Sequence, residues 1–175
     1  VNDLIFLDTE TTGLESELHE VWEIAWAIND SPIHTSVVPH SNLTADPKAL
    51  EMNDYHERVK QEGAPLFDLR TKIALTGNTI VGANPAFDAA FLRKRWGVAP
   101  WHYRMIDVES MALGILSYDR PKGLASIAND LAERGYSMPI PDHSAGKDVE
   151  VVREVYKALR QVQIKLIDAY TKLVY

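Results

Sequence analysis

Apolar residues come in short bursts at the start of the chain and in helical stripes after it. Leu4 to Leu7 are four consecutive apolar positions that run into Asp8, which predicts a short buried strand. Thr11-Thr12-Gly13 breaks it, with Gly13 as the turn residue. Residues 21–28, Val-Trp-Glu-Ile-Ala-Trp-Ala-Ile, alternate in part and predict a second strand with Trp22 and Trp26 on one face. Asn29-Asp30-Ser31-Pro32 is a turn, and Ile33 to Val38 completes an antiparallel meander of three.

The period then lengthens. Residues 46–61 carry short helical signals, with Asp46 as N-cap and Pro47 in the first turn. Residues 66–76 read as helix, and Thr79 to Gly82 as a buried strand that Pro85 stops. Residues 86–96 form an amphipathic helix with Phe87, Ala90, Phe91 and Leu92 apolar. Met105-Ile106 is a short strand leading into a helix from about 108 to 117. Helices follow over 123–133, roughly 145–160, and 162–174, the last with Val162, Leu166, Ala169, Tyr170 and Leu173 on one side and expected to dock on the same domain. The order βββ-αα-β-α-β-αααα implies an α/β fold, a mixed sheet with helices on both faces. Its three-stranded meander is extended by two parallel strands.

Composition narrows the function. The 175 residues, 46% hydrophobic and 25% charged, suit one soluble domain spanning 1–175. With no cysteine, a disulfide scaffold, a Cys-ligated zinc, an iron–sulfur cluster and a thiol nucleophile are excluded. No apolar run approaches the roughly 20 residues of a membrane span, and no basic segment marks a secretory leader, so a cytoplasmic protein without membrane contact is expected. The net charge of −7 excludes a generally basic coat for nucleic acid but not a local basic groove. Arg93-Lys94-Arg95 is such a basic run, read as a solvated helix face rather than a phosphate patch. The charge is also unevenly placed. Residues 1–47 hold nine acids and no Lys or Arg. Such a stretch is either a solvated acidic face or a site that needs cations.

Three clusters could carry chemistry. Asp8 and Glu10, two apart at the end of a strand, share a face, where like charges repel unless protonated or bound to a cation. Asp88 lies just inside the 86–96 helix, where an acid equally serves the helix dipole. Asp142-His143-Ser144-Ala145-Gly146-Lys147-Asp148 places a loop histidine between two acids, either incidental or a general base.

Together these segments resemble the DEDD superfamily of 3′–5′ exonucleases, with the ribonuclease H-like fold. Residues 6–14, Phe-Leu-Asp-Thr-Glu-Thr-Thr-Gly-Leu, look like its first motif, and residues 84–92, Asn-x-x-Phe-Asp-x-x-Phe-Leu, like its second. Residues 143–148, His-x-Ala-x-x-Asp, look like its third, in the family's order and at its separations. A histidine five residues before the last Asp, with Ser144 at the position four before, matches the histidine, or DEDDh, branch. The resemblance implies that Asp8, Glu10, Asp88 and Asp148 bind two divalent cations and that His143 is the general base. Carboxylate ligands fit Mg²⁺ or Mn²⁺ rather than zinc. It also implies that Thr11, Thr12, Gly13 and Leu14 cradle the terminal nucleotide, Leu14 wedging against its base and the threonine hydroxyls meeting the 3′ end. Phe87 is a candidate stacking surface, or simply helix packing.

The expected activity is hydrolysis at 3′ ends of single-stranded DNA or RNA, releasing nucleoside 5′-monophosphates. DNA is slightly favoured because the first motif resembles the proofreading branch used in DNA replication or repair. RNA trimming is the main alternative, and an inactive nucleic-acid-binding module a remote one. A haloacid dehalogenase-type phosphatase fits poorly, since it needs Asp-x-Asp where this chain has Asp8-x-Glu10. A polymerase or a second copy of the chain is a candidate partner.

Overall fold

A computed structural model describes residues 2–41, 44–60 and 67–174. Five strands form one sheet: β1 (Leu4–Thr11), β2 (Val21–Ile28), β3 (His34–Val37), β4 (Thr79–Gly82) and β5 (Ile106–Asp107). Their order across the sheet is β3-β2-β1-β4-β5. The β1–β2 and β2–β3 pairs are antiparallel, and the β1–β4 and β4–β5 pairs are parallel. The expected meander extended by two parallel strands is therefore present.

Helices cover both faces. They are α1 (Pro47–Met52), α2 (Tyr55–Arg58), α3 (Phe67–Leu75), α4 (Pro85–Trp96), α5 (Val108–Ile115), α6 (Leu124–Glu133) and α7 (Ala145–Val174). Phe6, Ala25, Ala27 and Val81 pack on one side against Val108, Ala112, Ile127, Leu131, Val149, Val152 and Val155 of α5, α6 and α7. On the other, Ile5, Leu7, Ile24, Trp26 and Ile80 meet Phe67 and Leu75 of α3 and Ala89, Phe91 and Leu92 of α4. The central strands β1 and β4 are thus buried on two sides, which is why they read as continuous apolar runs.

Several boundaries differ from the sequence reading. The 46–61 signal divides into α1 and α2 at Asn53 and Asp54, where Asp54 takes a left-handed φ of 49°. Residue 61, and residue 66 at the start of the next expected helix, lie outside the described residues. β1 outlasts the apolar run that ends at Asp8 and reaches Thr11, where the Thr11-Thr12-Gly13 break was expected, because β2 pairs with it from Ile5 to Thr11. The two C-terminal helices are one. Neither proline nor glycine occurs in residues 147–174, and α7 passes through Gln161 without a break. Its last half does not dock on the domain: Val162 still packs on the core, but Leu166, Tyr170 and Leu173 are exposed.

The basic run at the end of α4 is not simply solvated either. Arg95 pairs with Asp68 and donates to the Pro39 carbonyl, and Lys94 donates to the carbonyls of Glu17 and His19. Both side chains tie loops to the helix. Among the described residues, no helix is long and apolar enough to cross a membrane.

Candidate active site

Period-2 geometry continues the inward face of Phe6 through Asp8 and Glu10, so both carboxylates point to the side of the sheet that α7 covers. α7 begins there. Ser144 caps it, its hydroxyl accepting the Lys147 N–H at 3.3 Å and its carbonyl the Asp148 N–H at 2.9 Å, which sets Asp148 in the first turn. The helix can approach so closely because residue 146 is glycine. A β-carbon there would stand 2.7 Å from the Thr35 hydroxyl on β3. One carboxylate oxygen from each of Asp8, Glu10 and Asp148 can be chosen so that all lie within 4.8 Å of one another.

Asp88 approaches from the opposite side. Thr9, between the two β1 acids, faces α4 and donates its hydroxyl to Asp88 Oδ1 at 2.7 Å. Asp88 is 3% exposed and close enough that its charge is the strongest single electrostatic repulsion on Asp8. It therefore flanks the three-carboxylate group. The helix-dipole alternative weighed for Asp88 accounts for neither this burial nor this partner.

Crowding and burial hold protons on these acids. Burial raises the Asp8 carboxyl well above the usual range, and the charges of Asp88, Glu10 and Asp148 raise it further. Burial pushes Glu10 up to about 8, against the opposing charge of Arg58. Asp88 is raised to about 7 by burial, partly offset by the Thr9 hydrogen bond. Asp148 is raised by burial too, and the nearby His143 charge pulls it back.

The donor set fits a divalent cation. All donors are carboxylate oxygens, the ligand type that hard ions such as Mg²⁺ and Mn²⁺ take. Asp148 Oδ1 is buried and has no hydrogen-bond partner among the described residues, an orphaned acceptor that a cation would satisfy. A cation would also replace the mutual repulsion with attraction.

His143 is exposed in the loop before α7 and holds a left-handed φ of 59°. Arg58 donates to its backbone carbonyl at 2.6 Å. Neither Arg58 nor its partner Glu23 was marked as a site residue by sequence patterning. Glu23 could have been noticed: it is the one acid in the otherwise apolar strand Val-Trp-Glu-Ile-Ala-Trp-Ala-Ile. It pairs directly across from Glu10 in the β1–β2 register. An irregularity follows at once, since Thr11 pairs with Val21 and β2 carries one extra residue.

The expected nucleotide cradle is only partly as read. Thr11 and Thr12 are buried, and their hydroxyls are engaged inside the fold. Thr11 donates to the Gly13 carbonyl at 2.7 Å, and Thr12 accepts the Glu20 N–H at 3.0 Å. They shape the turn rather than project from it. Gly13 is required by close approach, because a β-carbon would lie 2.4 Å from the His19 ring. Leu14, by contrast, is 76% exposed and is not a core residue. Phe87 lies tilted against Phe91 with ring centroids 4.8 Å apart and packs, partly buried, on the α3–α4 core. Asn53, missed by patterning, donates its amide to the Thr11 carbonyl at 3.2 Å and braces the end of β1.

No family model and no curated protein matches the sequence. Solved structures do match the fold. NrnC from Brucella melitensis, solved bound to pGG, superposes with a TM-score of 0.58 at 19% identity, over 98% of this chain and 78% of that one. The zinc-bound E. coli exonuclease I complex with single-stranded DNA gives 0.70 at 18% identity, over 98% of this chain and 43% of that one. Exonuclease I from Methylocaldum szegediense gives 0.69 at 16% identity, over 95% and 42%. This chain thus spans less than half the length of those exonuclease I chains. At such identities the likeness is one of architecture, and the five-stranded mixed sheet with helices on both faces is the ribonuclease H-like fold that these solved structures share.

Proposed function

We propose that this chain is a divalent-metal-dependent 3′–5′ exonuclease of the DEDDh type. It would act on single-stranded ends and release nucleoside 5′-monophosphates. The observation that carries the reading is the convergence of Asp8, Glu10 and Asp148 from the strand and the helix onto one point, with an orphaned Asp148 oxygen among them. Supporting it, the solved structures with this fold include exonuclease I with single-stranded DNA and NrnC with pGG.

The residues divide the work as follows. Asp8, Glu10 and Asp148, flanked by Asp88, would hold two ions, Mg²⁺ or Mn²⁺, which when bound would supply positive charge beside the scissile phosphate and the attacking water. His143 would accept the proton of the attacking water as general base. Leu14 lies against the terminal base, while the turn shaped by Thr11, Thr12 and Gly13 presents backbone N–H groups to the 3′ end. The chemistry at phosphorus is indifferent to the sugar. DNA is slightly favoured from the first motif and from the exonuclease I likeness, with RNA trimming as the alternative.

The test is degradation of 5′-labelled DNA and RNA oligomers, side by side, with Mg²⁺ or EDTA. A ladder shortening from the 3′ end, abolished by EDTA and slowed by a blocked 3′ terminus, is expected. Equal cleavage of circular substrates would make the protein an endonuclease and defeat the reading.

A further inference from the structure

One partly buried ion pair grips the backbone on both sides of Ser144. Arg58, the last residue of α2, donates through Nη1 to the carbonyl of His143 at 2.6 Å and to that of Asn53 at 2.9 Å. Through Nη2 it pairs with the Glu23 carboxylate, and its guanidinium lies 5.0 Å from the centre of the Trp22 ring. Glu23 is 4% exposed. The same oxygen that meets Arg58, Oε2, also accepts the Ala145 N–H at 2.9 Å. The pair therefore ties residues 143 and 145 to β2 and α2 at once.

His143 holds a left-handed backbone, which a residue with a β-carbon keeps only where its surroundings impose it. A buried ion pair is, moreover, a weak source of stability compared with apolar packing of the same volume. Here its remaining hydrogen-bonding capacity is spent on two backbone groups of the histidine loop. The planar fork of arginine can reach two carbonyls and a carboxylate together, which an ammonium cannot.

We propose that Glu23 and Arg58 are positioning residues that fix the 143–145 backbone in the conformation from which the His143 imidazole serves the Asp8–Glu10–Asp148 group. The proposal rests on the reading of His143 as general base. The side-chain hydrogen bonds of Arg58 and Glu23 go to each other and to backbone groups of Asn53, His143 and Ala145, not to Asp8, Glu10 or Asp148.

The experiment compares Arg58→Ala, Arg58→Lys, His143→Ala and the double variant Arg58→Ala/His143→Ala. Steady-state kinetics on a single-stranded oligonucleotide in Mg²⁺ are read together with melting temperature as Mg²⁺ is added. Arg58→Ala is expected to lower kcat roughly 10- to 10²-fold, with little change in KM and with the Mg²⁺ shift retained, as a misplaced catalytic group would. Arg58→Lys should recover part of the loss. In the His143→Ala background, Arg58→Ala should cost no more than about twofold, because the group it positions is already gone. A full additive loss in the double variant, or near-normal kcat for Arg58→Ala beside an inactive His143→Ala, would overturn the positioning role alone. Turnover preserved in His143→Ala would overturn the base reading and this role with it. If Arg58→Ala does not fold, the same cycle run with Arg58→Lys carries the test.

Discussion

Asp148 shows how one side chain can be wrong for the folded chain by itself and right for its chemistry. Its Oδ1 is buried without a partner, and burial raises its pKa. Asp148→Asn removes a charge that repels its neighbours, so the metal-free protein should melt at the same temperature or higher. The variant should also lose most of the Mg²⁺-induced rise seen in the wild type, because that rise measures binding to the native state. An unchanged rise would remove Asp148 from the ligand set. His143→Ala should separate from it cleanly. The proposed ligand set does not include the imidazole, so its metal-induced shift should persist while turnover drops roughly 10²–10⁴-fold, the usual worth of the general base proposed for it. The acids and the histidine were legible because each sits at a recognisable local break: the end of an apolar run, or the loop before a stripe. Glu23 and Arg58 were not, since their pairing spans 35 residues and depends on which helix folds back over which strand. Thr11 and Thr12 were legible as site residues but not in their roles, because sequence does not say that a hydroxyl will turn inward to close a turn.

Among the elements, α7 carries two separate duties along its 30 residues. Its first turn delivers Asp148, and its next turns fill the core with Val149, Val152 and Val155. Beyond Val162 it touches the body only through Lys165 against Tyr136 among the contacts of its described residues, and Ile164, Leu166, Ile167, Tyr170 and Leu173 are exposed. Periodicity shows that a helix has an apolar face; it does not show what covers that face. That is why residues 162–174 were read as docked. The same limit explains the boundary expected near 161, where exposed Arg160 and Gln161 look like a junction but interrupt nothing in the helix. Ending the chain after Gln163 should therefore leave the melting temperature within about 2 °C and exonuclease turnover unchanged, as losses at exposed positions usually do. A fall of 10 °C, or lost activity, would show that the projecting half supports the domain after all. β1 behaves differently from α7, since its alternation decides everything: odd positions Ile5 and Leu7 feed one core, and even positions pass from Phe6 to Asp8 and Glu10.

At the scale of the whole molecule, the site's electrostatics make the stability of the metal-free protein depend on pH in a direction opposite to most proteins. A carboxyl whose folded pKa lies above its unfolded one keeps its proton longer in the native state. Between the two values the native state holds more protons than the unfolded chain, so stability falls as pH rises. For Glu10 that window runs from 4.5 to about 8, and for Asp88 from 3.8 to about 7. Asp8 and Asp148, also raised, add to it with the same sign. Asp30 and Asp130 are lowered by their lysine partners and act the other way, but only at pH values below the usual carboxylate range. In EDTA the melting temperature should therefore decline from pH 5 to pH 8, by at least about 3 °C, which is what roughly 1 kcal/mol is worth in a domain of this size. Saturating Mg²⁺ should flatten or reverse the decline, since the cation binds the deprotonated acids and its grip strengthens as they ionise. In Asp8→Asn/Glu10→Gln the slope in EDTA should shrink and the Mg²⁺ effect should vanish together. A melting temperature in EDTA that rises steadily from pH 5 to pH 8 would mean that the four acids are not held protonated by the fold, and the cluster would lose its strongest physical mark as a place built for cations.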